Sequence, residues 1–167
     1  MKKSLILLLL FIATITYSQS PSEIQKEINS TVWKPFHQAF ENLDSKALNN
    51  IYAKEVLRVT PKGIDTEGAF KKGTTKRFKE NKKQNTKIKL DFWFDSRHTN
   101  SDTSYEVGFY KITFTTNGKA SFVYGQFHIV LKKIKGEWKI TQDWDTTTIN
   151  GEKITAVNFG KKRPISF

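Results

Sequence analysis

From Lys87 to Arg97 the chain alternates without a break. Ile88, Leu90, Phe92 and Phe94 fall on one side, and Lys87, Lys89, Asp91, Trp93 and Asp95 on the other. A period of two is the repeat of a β-strand with one buried face. Three further strand-like segments follow, Ser104–Thr116, Lys119–Lys133 and Glu137–Thr146. They are separated by a polar turn at His98–Thr103, by Asn117-Gly118 and by Lys135-Gly136. Asn-Gly is the preferred two-residue hairpin turn, so the second half predicts an antiparallel meander of four long strands. Two of these carry a mid-strand glycine, Gly108 and Gly125. The apolar phase shifts around each, from Tyr105/Val107 to Tyr110/Ile112/Phe114 and from Phe122/Tyr124 to Phe127/Ile129/Leu131. A β-bulge at each glycine accounts for the shift and would curl the sheet strongly. A ligand or helix lying against the glycine is the other account.

The first half has helical periodicity. Ile24, Ile28, Val32, Phe36, Phe40 and Leu43 recur about one turn apart, with Ser22 as N-cap and Gln25 three residues on. Pro35 lies inside this run and predicts a bend or a break near Thr31–Trp33, because it removes one backbone donor. Asp44 is placed to cap a short second helix carrying Ala47, Leu48, Ile51 and Tyr52. Glu55–Thr60 has strand composition and turns at Pro61-Lys62-Gly63. A third helix is predicted from Thr66 to about Lys82, anchored by Phe70 and Phe78. After the meander, Asn150-Gly151 marks a small hairpin, and the chain ends on the basic GKKRPISF, expected to be loosely held.

The N-terminus changes the compartment. MKKSLILLLLFIATITYS has a charged start, an apolar run from Ser4 to Thr14, and small residues at Thr16 and Ser18 before Gln19. That run is too short for the roughly 20 residues a spanning helix needs, and its form is that of a cleaved export signal. The expected organisation is therefore a signal peptide over 1–18, one domain over 19–147, and a C-terminal hairpin with a basic tail over 148–167. Export predicts a periplasmic or secreted protein with no membrane span once the signal is removed. The chain has no cysteine, so no disulfide supports the fold, and 13 Phe, 4 Trp and 5 Tyr must supply the core. The formal net charge is +12, of which Lys2 and Lys3 contribute two. In an exported protein this argues against nucleic acid and for anionic surfaces or ligands as partners. Lys72, Lys76, Lys79 and Lys83 on the third helix would form such a docking face; a merely solvated helix face is the plainer reading.

The order of helix, short helix, small strand pair, helix and curled meander resembles the nuclear transport factor 2-like, or cone, superfamily. VWKPFHQAFENLDSKALNNIYAKEVLRVTPKG resembles the opening of its SnoaL-like and domain-of-unknown-function-4440 branches. There a helix aromatic, an Asp before the second helix, a Tyr ending it and an acidic turn recur, matched by Phe36 and Phe40, Asp44, Tyr52 and Glu55. FHIVLKKIKGEWKITQDWDTTT resembles the superfamily's final hairpin, and the resemblance spans about 22–147. It implies an α+β cone: a curved antiparallel sheet, with four long meander strands and a short strand pair, packed against three N-terminal helices. It also implies a pocket at the wide end and, in many members, a dimer through the convex sheet face. The fold itself hosts isomerases, cyclases, dehydratases, hydrolases and binding modules, so it does not choose among functions.

Strand period puts Trp138, Ile140, Gln142 and Trp144 on one face of the last long strand and Lys139, Thr141, Asp143 and Asp145 on the other. The apolar set must face the helices, which sends Asp143 and Asp145 to the convex side unless a bulge inverts the phase. The expected ligand-binding residues are Trp33, His37, Tyr52, Tyr110, Gln142 and Trp144, an aromatic wall with a few polar tips suited to a small apolar or ring-bearing molecule. For catalysis the weak candidates are His37 and Glu106, the latter facing inward if the bulge falls at Gly108. His37, His98 and His128 are dispersed and have no metal-ligand spacing, and no phosphate-loop or dinucleotide motif is present, so neither metal nor cofactor is expected. The leading reading is an exported small-molecule-binding pocket protein. Its alternatives are a cofactor-free isomerase, cyclase or hydrolase acting in the cone, and a dimeric interaction module with a basic helix face.

Overall fold

The computed structural model describes residues 19–167; the segment read as an export signal, 1–18, lies outside the described residues. Helix α1 (Pro21–Ile28) opens with a capping box on Ser20. The Ser20 hydroxyl accepts from the Glu23 N–H at 3.3 Å, and the Glu23 carboxylate accepts from the Ser20 N–H at 2.7 Å. The cap expected at Ser22 is thus two residues upstream. Pro21 is the reason, since its fixed φ and missing N–H suit the first helical position and make the preceding residue the cap.

The apolar face of α1 continues through a π-helical turn, Asn29–Trp33, in which the Lys34 N–H bonds back to the Asn29 carbonyl. Pro35 has no N–H to give, and its ring crowds the carbonyl four residues earlier. The wider turn absorbs both effects where the sequence predicts a break, and α2 (Lys34–Glu41) runs on. Asp44 caps α3 (Ser45–Ile51), accepting from the Ala47 N–H at 2.9 Å. Then come β1 (Tyr52–Thr60), β2 (Gly63–Asp65) and α4 (Ala69–Lys83). The meander is β3 (Lys87–Thr99), β4 (Thr103–Thr116), β5 (Lys119–Ile134) and β6 (Glu137–Thr146).

These strands form one mixed six-stranded sheet in the order β2-β1-β6-β5-β4-β3, with β1 parallel to β6. The core lies between its concave face and the helices, where Ile28, Val32, Phe78, Leu131 and Ile140 are almost fully buried. The α+β cone expected from the sequence is the fold observed.

The glycines act otherwise than expected. The β4–β5 ladder is unbroken from Thr103↔Lys132 to Thr116↔Lys119, so neither Gly108 nor Gly125 is a bulge. Each faces an aromatic residue across the ladder, Gly108 against Phe127 and Gly125 against Tyr110. A Cβ on Gly108 would lie 2.4 Å from the Phe127 ring, and one on Gly125 would lie 2.3 Å from the Tyr110 ring. The missing side chains make room for rings laid across the neighbouring strand. Phase does not shift: Tyr105 and Val107 simply belong to the convex face. The register shifts of the meander fall elsewhere, at Asp95 in β3 and at Thr141 in β6, and β1 has its own against β6 between Tyr52 and Leu57.

The C-terminal segment is held, not loose. A hairpin of β7 (Thr148–Ile149) and β8 (Glu152–Lys153) leads to the short α5 (Ala156–Phe159). Ile154 is buried in a small second cluster with Trp93 and Phe109, whose rings stack at 4.7 Å on the convex face. The Trp93 indole N–H donates to the Phe159 carbonyl at 2.8 Å. The chain then reaches β3, the edge strand, where the Ile165 N–H donates to the Phe92 carbonyl at 2.8 Å. One face of an otherwise open sheet edge is thereby occupied.

Candidate functional site

The cone encloses a cavity of about 600 Å³, within the range of small-molecule sites. Its walls are apolar and aromatic: Trp33 at the end of the π turn, Phe36 on α2, Tyr52 at the start of β1, Phe70 on α4, and Tyr110, Ile112 and Phe114 on β4. Trp33 is fixed by ring contacts to Phe36, Phe92, Phe94 and Phe127 at 5.3–5.7 Å.

One part of the wall is polar, and its geometry follows from a single extra residue. In the β5–β6 ladder Leu131 pairs with Ile140 but Val130 pairs with Gln142, which leaves Thr141 as a bulge. Upstream of it Trp138 and Ile140 face the core. Downstream the parity is reversed, so Asp143 and Asp145 face the cavity, and Gln142 and Trp144 lie on the convex face. The expected orientation of this strand is therefore inverted past Thr141. Trp144 meets the His128 ring edge-on at 4.5 Å, and His128 Nδ1 is 2.7 Å from the Tyr105 hydroxyl.

Parallel pairing of Arg58 with Asp143 in register brings the guanidinium to both acids. Nη1 donates to Asp143 Oδ1 at 2.8 Å and to the Asp143 carbonyl at 3.1 Å, while Nη2 is bonded to Asp145 Oδ2. The Tyr52 hydroxyl donates to Asp143 Oδ2 at 2.8 Å. Burial opposes the charge on Arg58, but Asp143 and Asp145 outweigh it and hold the guanidinium protonated, above its ordinary range. Burial pushes the Asp143 carboxyl up from its usual value, with Arg58 and the Tyr52 hydrogen bond pulling back only part of the way. Tyr52 is driven well above a normal phenol, first by burial and then by the Asp143 charge. Arg58 and Asp143 are thus spoken for, while Asp145 keeps a second oxygen free of partners among the described residues.

The remaining expected residues divide clearly. Trp33, Tyr52 and Tyr110 line the cavity. Gln142 and Trp144 do not, for the reason just given. His37 sits off the cavity on α2, 3.3 Å from Glu41 and beside the Phe167 ring. Glu106 does face inward, without any bulge at Gly108, but it is sealed away from the cavity. It is fully buried and accepts from the Trp33 indole at 2.6 Å, Arg97 at 2.8 Å and Ser104 at 2.9 Å. Both oxygens of that carboxylate are engaged by donors from the surrounding structure. Sequence reasoning missed Arg58 and the inward turn of Asp143 and Asp145. A signal existed: a lone Arg between Leu57 and Val59 needs a buried acid, and Asp143-Trp144-Asp145 is the acidic pair at strand spacing. Among the described residues no group of His, Asp and Glu is arranged to hold a metal ion, and no helix is long and apolar enough to cross a membrane.

No family model matches this chain, and no curated protein matches it. Solved structures do. A conserved protein from Planctomyces limnophilus superposes with a TM-score of 0.62 at 16% identity, covering 74% of this chain and 95% of the other. A nuclear transport factor 2 (NTF2-like) superfamily protein from Salmonella enterica gives 0.58 at 17%, covering 83% and 97%. A ketosteroid isomerase-like protein from Erwinia carotovora gives 0.53 at 14%, covering 72% and 95%. At these identities the likeness is one of fold: the chain has the curved, helix-covered sheet of nuclear transport factor 2-like cone proteins.

Proposed function

We propose that the cone binds a small molecule with an apolar body. The observation that carries this is the cavity itself, about 600 Å³ walled by Trp33, Phe70, Tyr110 and Phe114, with polar groups gathered at one place on its wall. The aromatic walls take the apolar body, and the polar patch orients it. Trp33, Tyr52 and Tyr110 keep the roles expected of them, and Asp145 joins them as the acceptor with an oxygen to spare. Decan-1-ol should raise the melting temperature in a thermal-shift titration, and Thr74→Trp, which fills the cavity from α4, should abolish the rise. An unchanged melting temperature across decan-1-ol and a panel of small aromatic alcohols would remove this reading.

A second reading, cofactor-free proton transfer, is favoured by one feature: a carboxyl raised by burial stands beside a phenol in the cavity. One structural neighbour is described as ketosteroid isomerase-like, a description that belongs to that protein. If this reading holds, the protein speeds exchange of the α-hydrogens of a cyclic ketone in heavy water, and Asp143→Asn removes the acceleration.

Export to the periplasm or beyond is proposed on the 1–18 segment alone. For partners, Lys72, Lys76, Lys79 and Lys83 are all exposed on α4 and support docking to an anionic surface. Such docking should weaken steeply as salt rises. A dimer through the convex face would have to use the end around Tyr105 and Trp144, since the C-terminal segment already covers Trp93 and Phe109.

A further inference from the structure

Seven basic residues lie on α4, and one of them lines the cavity. Phe70, Thr74 and Arg77 are spaced at i, i+4 and i+7, which is one helical face, and all three line it. The other basic residues of the helix are turned away, and Lys71 donates to the Ala53 carbonyl. The Arg77 guanidinium lies 5.9 Å from the Phe40 ring centroid and 5.7 Å from that of Phe78. It makes no hydrogen bond or ion pair among the described residues. A second donor is in the same position: the Tyr110 hydroxyl lines the cavity over Gly125 and has no hydrogen-bond partner there. The charges of Asp145, Arg58, Asp143 and Arg77 all act on that hydroxyl, which places these groups in one neighbourhood. Lys62 lines the cavity as well.

We infer that this site selects a ligand bearing a single carboxylate head, received by Arg77 and the Tyr110 hydroxyl, with the apolar body directed along Phe70, Ile112 and Phe114. This rests on the pocket reading above and adds the ligand's charge class to it. The reasoning is one of unmet capacity. Arg58 is occupied by two carboxylates, so the internal acid–base pairing is closed. What remains open is mostly on the donor side, Arg77 with five N–H groups and Tyr110 with one O–H, against the single spare oxygen of Asp145. An acceptor head meets the larger share of this capacity, and a cationic head would add to the charge of Arg77 and Lys62. With Arg58 and Arg77 set against Asp143 and Asp145, Lys62 leaves one positive charge to be answered, which suits a monoanion. Planar carboxylate and planar guanidinium can meet through two parallel hydrogen bonds.

Three probes of one chain length separate the possibilities: decanoate, decan-1-ol and decylammonium, each titrated calorimetrically into the full protein at low salt. Decanoate should bind at least about tenfold more tightly than the alcohol, and decylammonium more weakly than either. Arg77→Gln should erase the preference for decanoate, weakening decanoate far more than decan-1-ol, and Tyr110→Phe should reduce the preference in part. Phe retains the ring over Gly125, and Arg77→Gln gives up the contact with the Phe40 and Phe78 rings, so an unchanged melting temperature of each variant accompanies the comparison. Equal affinity for decanoate and decan-1-ol, or a preference that survives Arg77→Gln, overturns the head-group assignment and leaves the pocket reading standing. Binding of none of the three overturns both.

Discussion

Arg58→Met tests the polar wall most directly. The Arg58 side chain is 16% exposed, Asp143 9% and Asp145 27%, so the substitution strips the counter-charge from two largely buried carboxylates. Removing one partner of a buried ion pair costs about 3–5 kcal/mol, because the other charge is left desolvated. For a chain of this length that is a fall of roughly 10 °C in Tm. The cost should also depend on pH, with a definite sign. Burial already raises the folded-state Asp143 carboxyl above its unfolded value, and Arg58 is the largest influence holding it down. A raised carboxyl binds its proton more tightly in the folded protein. Its favourable contribution is therefore full below the unfolded pKa and lost as pH rises through the folded one. Without Arg58 the folded value moves higher still. At neutral pH the variant carries the larger penalty, whereas at acid pH the Asp143 carboxyl takes up its proton and the penalty shrinks. Urea unfolding followed by tryptophan fluorescence, variant against wild type at each pH, isolates this difference. Adding Asp143→Asn to Arg58→Met should restore part of the neutral-pH stability, since Asp145 remains without its partner. The reasoning fails if the cost is below about 1 kcal/mol at pH 7, outside the range for a broken buried pair, or is the same at both pH values.

Three further substitutions address other parts of the argument. Gly125→Ala should lose about 1–3 kcal/mol, as overpacking does, because its Cβ would fall 2.3 Å from the Tyr110 ring; Tyr110→Ala in the same chain should relieve it in chemical denaturation. Glu106→Ala leaves Arg97 buried without its carboxylate and should cost about 3–5 kcal/mol, while a catalytic role would instead have shown as lost activity at normal stability. Ile154→Ala should cost about 2–5 kcal/mol and red-shift the emission of Trp93, which Ile154 helps to cover; an unchanged Tm and spectrum would mean that the C-terminal segment is not bound to the convex face in solution.

Much of the fold was legible along the chain. Alternation located the strands, Asn117-Gly118 and Lys135-Gly136 located the turns, and Pro35 located the break in the first helix. Local chemistry suffices for these features because each is set by neighbours within a few residues. Less of the site was legible. Trp33, Tyr52 and Tyr110 lie on the cavity wall, because large aromatics on the helix-facing side of a cone must line whatever space remains. Gln142 and Trp144 were misplaced, and Asp143 and Asp145 with them, by an error of one residue in phase. The glycines misled in the same way, since a gap in an apolar pattern can mean an extra residue in its own strand or a ring arriving from the next.

The sequence by itself determined the kinds and order of the elements, the aromatic character of the core and the charge of the surface. Tertiary structure alone decided which face of β6 meets the cavity. Thr141 carries no local mark of a bulge; it becomes one only because Leu131 and Val130 of β5 pair with Ile140 and Gln142 on either side of it. Side chains alternate with a period of two, so that single unpaired residue turns every later side chain to the opposite face. The pairing partner, eleven residues away, chose acids over Gln142 and Trp144, and Arg58, 85 residues before Asp143, made their burial tolerable.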